Sequence, residues 1–577
     1  MNKKKLLVSI LAFVLVLSML FTFVACDNTN ENGDISLENV TQNDIPKNRA
    51  LFFFQKEGKQ NSEVYKPIHT DEFKKDATIK DVFDFDIKSG NLKYGFGAKF
   101  DSENKEKLVK IQGQDIVANA RQEMQIFTTL KPVSENVESY KVGDKTLYKT
   151  DINCKLQEKE VYLFFVKDTN FGSLSATVSP INYTADPVID GNFTYVFSGE
   201  ELVKYELKDK ADKSGKEYVE VAKNTNLGFD KITFGDFSYY NVGCKPIIAG
   251  NMIICASNGK VQAFDKQTLK KLWVYAGVEG EEVGTTYLGG INSNMVFDSK
   301  TSSLFVPFSS VLVSMNVTDT DTNVDTDAPK QNWVNKNLGN FYWDEGIVIE
   351  DYFIIGTNQV IDYTANPIKV TKKAGLYALD KTTGKEKQKI EVDSDISCGI
   401  TYDSNLDLLF FTTKDSVLHR VQYKNGETVF GRTKDVKLKG VESTCTPAIY
   451  NGRLYVTSGQ TIFDVNFDPT KAESTGYMQV IDMVTLDIIN TVDVKGYSQG
   501  KPCVSAVGED VFVYFTKNSY EGGIYYIVDN ATADSAVLKT LFKPATPQFC
   551  TSSIQKVGDT LYYRNDSNTI FAYKEFN

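Results

Sequence analysis

Histidine is nearly absent from this chain, which has two, His69 and His419, in 577 residues. Ser-His-Asp and Cys-His catalytic groups need this side chain, and zinc sites use it often. His419 lies in an alternating strand pattern, Val417–Val421, where we expect a structural or exposed role. The sequence therefore assigns no catalytic residue and no metal-ligating residue.

Basic residues are outnumbered too, and the formal net charge is −11. An acidic surface disfavours non-specific binding to nucleic acids and anionic lipids, so we expect no nucleic-acid partner. Arginine is rare beside lysine, a bias that is typical of AT-rich genomes. The composition thus indicates a low-GC Gram-positive bacterium.

The amino terminus has the order of a secretory signal: Lys3–Lys5, an apolar run over Leu6–Val24, then Ala25 and Cys26. This order resembles a bacterial lipoprotein signal, which implies cleavage after residue 25 and acylation of Cys26. Residues 26–45 are polar and acidic, as in a flexible tether. The alternative is an uncleaved transmembrane anchor. Either reading places the body outside the cytoplasm, and the first places it on the outer face of the cytoplasmic membrane.

What the chain has instead of catalytic groups is a repeated phrase. It runs over Gly259–Trp273 and returns at Ala374–Lys385, Gly476–Leu486 and Gly523–Asp529. Each copy is an alternating apolar strand that ends in an aspartate and is followed by another strand or a turn. Self-similarity at a fixed period is typical of propellers and solenoids.

A second marker opens each unit: a proline or small residue, an apolar pair and a turn. The units begin near Pro187, Pro246, Gly290, Asp344, Gly399, Pro447, Pro502 and Ser552. A period of about 50 residues is that of a four-stranded blade. The sequence predicts an all-β fold with an eight-bladed propeller over residues 171–577, or a seven-bladed one. A strand near Gly172–Ser179 is expected to complete the last blade.

Residues 46–170 lack the repeat and are predicted to form a small β-rich accessory domain, with an immunoglobulin-like sandwich as one topology. The expected strands lie at Leu51–Gln55, Leu92–Phe100, Met124–Leu130 and Val161–Lys167. A short helix is expected near Phe73–Asp81.

The two best copies of the phrase, Gly259–Trp273 and Ala374–Lys385, resemble the repeat of the pyrroloquinoline-quinone-type propeller family. Four stretches are also similar to those of clostridial surface and lipoprotein propeller proteins: Phe341–Trp343, Val494–Tyr497, Phe549–Ser553 and Thr560–Asp566. The resemblance implies the fold but little about activity, because this fold carries dehydrogenases, assembly factors and binding proteins. Quinone enzymes of the family use two adjacent half-cystines and an aromatic platform. Because this chain has no adjacent cysteine pair and three tryptophans, we expect no cofactor.

The recurring polar residues are interpreted as structural. Asp265, Asp380, Asp482 and Asp529 occupy equivalent places, where an aspartate accepts hydrogen bonds from turn N–H groups. Trp273 is expected to pack between blades. The segment Asp319–Asp327 has oxygen ligands at alternate positions, but it lacks the glycine and the final acid of a calcium loop.

Four cysteines share one phase of the repeat, close to the first strand: Cys244, Cys398, Cys445 and Cys550. One hypothesis is a soft-metal or redox ring. The favoured interpretation is that cysteine fits as a small apolar residue where blades converge.

Taken together, these patterns predict a membrane-anchored extracytoplasmic lipoprotein whose propeller is a non-catalytic binding or scaffold module. The expected contact surfaces are the inserts Val317–Asn340, Gln359–Lys373 and Gln460–Ser474. Apart from the membrane, the expected partner is an extracellular protein or a cell-envelope ligand. The alternatives are a quinoprotein-type dehydrogenase, an unrecognised hydrolase, and an assembly-factor scaffold for membrane or envelope proteins.

Overall fold

The structure is a computed structural model and is nearly all-β. It describes residues 36–56, 64–100, 108–111, 114–115, 122–134, 137–142, 144–168, 172–212, 215–234, 237–275, 291–318, 329–463, 469–507, 510–530 and 538–575. The chain divides into two compact units, a first unit up to Thr169 and a second unit from Asn170 onward. Cys26 lies outside the described residues.

In its described residues, the first unit contains nine strands, one helix α1 (Ile79–Lys88) and a 3₁₀ turn (Thr70–Glu72). Its strands are β1 (Arg49–Lys56), β2 (Val64–His69), β3 (Lys99–Phe100), β4 (Leu108–Ile111), β5 (Gln114–Asp115), β6 (Gln122–Thr128), β7 (Ser139–Val142), β8 (Lys145–Thr150) and β9 (Val161–Asp168). Six of them form a mixed sheet in the order β2-β1-β9-β6-β8-β7, in which β1 and β9 are parallel. β3, β4 and β5 form a small separate sheet.

The helix begins later than the sequence predicts, because Thr78 and Asp81 form a capping box that fixes its start at Ile79. The expected strand over Leu92–Phe100 is mostly a loop. The buried Asp86 carboxylate accepts the N–H groups of Tyr94 (2.7 Å) and Phe96 (2.9 Å), which are then not available to a sheet. Only the last two residues of that stretch form a strand.

The large sheet of the first unit buries apolar side chains on both faces. On one face Phe52 and Phe164 pack against Val82 and Phe83 of α1, and on the other Phe53 and Leu163 form a second cluster. This mixed sheet with a helix on one face differs from the two packed antiparallel sheets of an immunoglobulin-like sandwich.

The second unit is a series of four-stranded antiparallel sheets, and in sheets A to G the strands follow chain order. Sheet A holds β11 (Val188–Asp190), β12 (Phe193–Phe197), β13 (Leu202–Asp209) and β14 (Lys216–Asn224); sheet B holds β17 (Ile247–Ala249), β18 (Met252–Ser257), β19 (Lys260–Asp265) and β20 (Lys271–Tyr275). Between them lies a hairpin of β15 (Ile232–Phe234) and β16 (Phe237–Tyr239). Sheet C holds β21 (Val296–Asp298), β22 (Ser303–Phe308), β23 (Val311–Asn316) and β24 (Lys330–Asn335).

Sheet D holds β25 (Ile347–Ile349), β26 (Tyr352–Thr357), β29 (Gly375–Asp380) and β30 (Glu386–Glu391), and a hairpin of β27 (Val360–Asp362) and β28 (Lys369–Lys372) is inserted after its second strand. Sheet E holds β31 (Thr401–Asp403), β32 (Leu408–Thr413), β33 (Val417–Tyr423) and β34 (Phe430–Lys437). Sheet F holds β35 (Ala448–Tyr450), β36 (Arg453–Ile462), β37 (Glu473–Asp482) and β38 (Ile488–Asp493), with a 3₁₀ turn at Pro469–Lys471. Sheet G holds β39 (Cys503–Val507), β40 (Asp510–Thr516), β41 (Ile524–Asn530) and β42 (Lys539–Phe542).

The last sheet joins the two ends of the second unit. Sheet H contains β43 (Gln555–Val557), β44 (Thr560–Arg564) and β45 (Ile570–Lys574), and its fourth strand is β10 (Leu174–Val178), which pairs antiparallel with β45. The predicted completing strand near Gly172–Ser179 is thus confirmed. Arg564 also donates to Asp186 (Nε to Oδ1, 3.1 Å) and Gln555 to the carbonyl of Pro187 (2.7 Å), which links sheet H to sheet A.

Apolar side chains fill the space between consecutive sheets. Trp273 on β20, 1% exposed, packs with Leu304 and Val306 of sheet C, as predicted for the outer-strand tryptophan. Between sheets C and D, the Phe305 and Phe353 rings stack at 4.3 Å between centroids. Burial of aromatic and branched side chains is the main stabilising contribution of such interfaces.

Candidate functional site

One turn of chain recurs before the first strand of every sheet in the second unit. The residues two positions before these strands, which we call the rim residues, are Asp186, Lys245, Asn294, Glu345, Gly399, Thr446, Lys501 and Ser553. They bond from sheet to sheet: Asn294 Oδ1 accepts the N–H of Lys245 (3.1 Å), and Thr446 Oγ1 accepts the N–H of Gly399 (2.7 Å). Glu345 forms parallel bridges to both Asn294 and Gly399. The five rim residues from Lys245 to Thr446 therefore lie side by side.

The residue that precedes each rim residue is buried and, with one exception, small. In chain order these are Ala185, Cys244, Ser293, Asp344, Cys398, Cys445, Gly500 and Ser552. Of the four cysteines that share one phase of the repeat, Cys244, Cys398 and Cys445 belong to this set, and Cys550 lies two residues before Ser552. All four are buried. Close approach of the sheets favours small side chains here.

The cysteines do not converge on one site. Cys244, Cys398, Cys445 and Cys550 belong to four separate hydrophobic clusters, and all the described cysteines are free thiols. Burial raises the pKa of Cys244, Cys398 and Cys550 to about 12, so that these thiols stay protonated near neutral pH. The geometry supports the small-apolar interpretation over a soft-metal ring. Within the described ranges, no group of three or more His, Cys, Asp or Glu side chains is placed to hold a metal ion.

Asp344 is the exception in the buried set, and sequence reasoning did not identify it. It is fully buried; its Oδ2 accepts the N–H of Tyr342 (2.8 Å), while its Oδ1 has no hydrogen-bond partner among the described residues. Burial raises the pKa of this carboxyl well above its usual range, and the nearby Asp395 raises it further. One sequence signal could have identified Asp344. When the eight repeats are aligned on their first strands, the other seven repeats have a small residue at this position.

We expect Asp344→Asn to stabilise the protein at neutral pH. Because the folded-state pKa of Asp344 is raised, the folded protein binds this proton more tightly than the unfolded chain, so stability falls as pH rises above about 4. The amide carries no such penalty. The Tm of the variant should exceed that of the wild type at pH 7, and the difference should shrink towards pH 4.

Asp380→Asn is a control for which we expect a change in Tm of the opposite sign. Burial would raise the pKa of Asp380, but hydrogen bonds from Thr383 lower it overall, so this carboxylate stabilises the fold above pH 4. Its amide variant should have a lower Tm at pH 7 and approach the wild type in acid. A lowered Tm for Asp344→Asn at pH 7 would contradict the assignment.

The connections that follow the second and fourth strands of the sheets meet on one side of the second unit. Asn358 N–H donates to the carbonyl of Asn340 (2.8 Å), and Asn518 N–H to that of Tyr497 (2.6 Å). Large apolar side chains are exposed on these connections: Tyr342, Trp343, Tyr363, Ile368, Val441, Ile462 and Phe463. The predicted inserts Gln359–Lys373 and, in its described part, Gln460–Ser474 contribute to this side, which we call the loop face.

The turns that follow the third strands of sheets B, D and F have a structural role. Asp265 Oδ1 accepts the N–H groups of Gln267 (3.1 Å) and Thr268 (2.6 Å), and Asp380 and Asp482 repeat the arrangement with the residues two and three positions later. The turn prediction is confirmed for these three. Asp529 differs, because its buried carboxylate pairs with Arg453 (2.5 Å) and accepts from Tyr455 (2.8 Å) in sheet F.

His419 has neighbours that its sequence context did not indicate. Its Nδ1 lies 2.8 Å from Asp435 Oδ1, its Nε2 lies 3.1 Å from Thr413 Oγ1, and its ring stacks on Phe411. The order Thr-His-Asp resembles a catalytic triad, but Thr413 is 1% exposed and its hydroxyl also binds Asp415 Oδ1 (2.5 Å). The hydrogen bond from His419 lowers the pKa of Asp435. The network joins three strands of sheet E and leaves no exposed hydroxyl to react.

A polar cleft of about 700 Å³ lies at the outer strands of sheet C, away from the loop face. Thr301, Asn316, Lys330, Asn332 and Lys381 line it, and Lys381 is paired with the buried Asp298 at 3.0 Å. The calcium-like segment Asp319–Asp327 lies outside the described residues. No helix in the described part of the chain is long and apolar enough to cross a membrane.

Comparisons with known proteins concern structure alone, because no protein-family model and no curated protein matches the sequence. The structure is similar to BamB from Moraxella catarrhalis (12% identity, TM-score 0.34, 60% of this chain and 96% of that chain). It is also similar to the quinohemoprotein alcohol dehydrogenase from Comamonas testosteroni (12% identity, TM-score 0.46, 70% and 76%). A third similar structure is Sqt1 from Saccharomyces cerevisiae (9% identity, TM-score 0.46, 71% and 100%).

Proposed function

We propose that the chain is an extracytoplasmic lipoprotein, anchored through Cys26, whose second unit is an eight-bladed propeller of the quinoprotein type that acts as a non-catalytic binding module. Sheets A to H are the blades, and β10 closes the ring by pairing with β45. Closure of this kind removes exposed sheet edges. The first unit is the accessory domain. Leu37, Val40 and Ile45 are buried in its core with Phe53 and Leu163, so the proposed tether is shorter than the predicted range 26–45.

The observation that carries the binding role is the set of exposed apolar side chains on the loop face. Connections on a rigid scaffold are where binding residues concentrate. Aromatic side chains exposed there can bury large areas against a ligand without a change in the scaffold. We propose an extracellular protein or a cell-envelope ligand as the partner, with the propeller outside the cytoplasmic membrane of a low-GC Gram-positive bacterium.

The anchor is tested by Cys26→Ala in cells that express the full chain. The wild type should sediment with membranes and be accessible to protease from outside the cell, whereas the variant should lose its membrane association because it lacks the acylated thiol. Cys154→Ala, a partly buried free cysteine, is the matched control and should stay with the membrane. Retention of the Cys26→Ala protein in the membrane would show an uncleaved transmembrane anchor instead.

A further inference from the structure

Trp343 is held in a conformation that a bulky residue rarely adopts. Its φ is 63°, in the left-handed region, and its N–H donates to the carbonyl of Asn292 (3.2 Å). On one side Phe341 is buried, and on the other the buried Asp344 accepts the N–H of Tyr342. Strain of this kind persists where neighbouring contacts over-determine the backbone, and it is concentrated at functional sites.

The strained turn presents two aromatic rings to solvent. Tyr342 and Trp343 pack against each other with centroids 4.7 Å apart and ring planes tilted by 31°, and they remain 40% and 45% exposed. Single exposed apolar residues need no explanation. Two adjacent rings, fixed against each other on a backbone anchored at both ends, form a rigid apolar platform. Because these side chains are already ordered, little conformational entropy is lost when a ligand binds.

The surroundings of the platform are polar and balanced in charge. The carbonyl of Asn292 accepts the N–H of Trp343, and Glu345 follows two residues later in the chain. Asn294 Nδ2 donates to Glu345 Oε2 (3.0 Å), so that both rim residues lie beside the platform. Of the eight rim residues two are acidic and two basic. Such a rim offers carbonyl, amide and carboxylate groups without a net field that would select a polyanion or a polycation.

We propose that the Tyr342–Trp343 platform and the neighbouring rim residues bind a neutral β-1,4-linked glycan of the cell envelope. The equatorial linkages of such a chain give each pyranose a flat C–H face that fits an aromatic ring, while its hydroxyl groups hydrogen-bond to amides and carboxylates. A protein partner is less well matched, because Asn292, Asn294 and Glu345, which lie beside the platform, carry amide and carboxylate groups. This inference rests on the proposed extracytoplasmic location.

Tryptophan fluorescence offers a specific readout. Of the three tryptophans, Trp273 and Trp333 are buried and Trp343 is exposed, so acrylamide should quench mainly Trp343. Titration of residues 27–577 with chitohexaose or cellohexaose should change the emission and protect it from acrylamide. A glycan that binds elsewhere would leave the quenching unchanged.

Variants at the platform test the assignment by calorimetric titration with the same two hexasaccharides. Trp343→Ala should weaken binding at least about tenfold, as expected for loss of a central aromatic anchor, and Trp343→Phe should retain part of the affinity. Tyr450→Ala, which removes an exposed tyrosine at the end of β35, outside the loop face, should bind as the wild type does. The Tm of each variant reports on folding.

Two outcomes would overturn the inference. One is that neither hexasaccharide binds the wild type at millimolar concentration; the other is that Trp343→Ala and Tyr450→Ala bind equally well. Capture of an envelope protein that is lost in Trp343→Ala, with no glycan binding, would assign the platform to a protein partner. Because the Cys26→Ala experiment measures anchoring separately, failure here and failure of the proposed function are distinguishable.

Discussion

Replacing Gly384 with alanine is expected to lower the free energy of unfolding by about 2–4 kcal/mol. Gly384 has a φ of +69°, which disfavours any residue with a Cβ by about 1 kcal/mol. In addition, a Cβ atom here would lie 2.4 Å from ring atoms of Trp333. That ring is fixed, because its Nε1 donates to the carbonyl of Lys381 (3.0 Å). Chemical denaturation of both proteins measures the difference.

Gly452→Ala is the matched control, since Gly452 has a φ of +76° but no atom within 4 Å of an added Cβ. It should lose about 1 kcal/mol, the cost of the left-handed backbone alone. Trp333→Leu should recover part of the loss in the Gly384→Ala background. Equal losses for the two alanine variants would show that Gly384 does not contact the outer strand of sheet C.

The repeat allowed most of the second unit to be predicted, because its signals are local. Alternating strands, the aspartate turns at Asp265, Asp380 and Asp482, and the packing of Trp273 all follow from patterns within one unit of sequence. The contact between Gly384 and Trp333 could not be predicted from these patterns, although both residues belong to the repeat. It depends on how far the outer strand of one sheet overlaps the turn of the next.

The first unit and the candidate site were harder to predict for the same reason. The loop at Leu92–Phe100 depends on a carboxylate from α1, and the neighbours of His419 come from two other strands of sheet E. Asp344 and the exposed pair Tyr342–Trp343 look like ordinary loop residues in the sequence. Their significance comes from burial and backbone conformation, which a periodic pattern does not encode.

The second large effect is expected from a disulfide between the two ends of the second unit. Val178 on β10 lies directly opposite Ile570 on β45. Opposed residues in antiparallel strands are about 4.5–5.5 Å apart at Cα, within the range that a disulfide spans. Cysteine is smaller than either residue it replaces, so overpacking is avoided. Because the bond would close a loop over nearly the whole unit, we expect the oxidised double variant to be more stable than the reduced one by about 2–5 kcal/mol.

A mismatched pair provides the control for this variant. Ile488 is exposed on β38, the outer strand of sheet F, and the ring does not place it beside β10. Val178→Cys combined with Ile488→Cys should therefore form no intramolecular bond, and reduction should not change its stability.

The closed ring is tested most directly by mass spectrometry of the oxidised Val178→Cys/Ile570→Cys monomer after proteolysis without reduction. We expect one peptide pair to join residue 178 to residue 570 in nearly every molecule, while the native cysteines stay free. If residues 178 and 570 remain as thiols, or are linked only between molecules, the ring is not closed by β10 and β45 and the proposed propeller is contradicted.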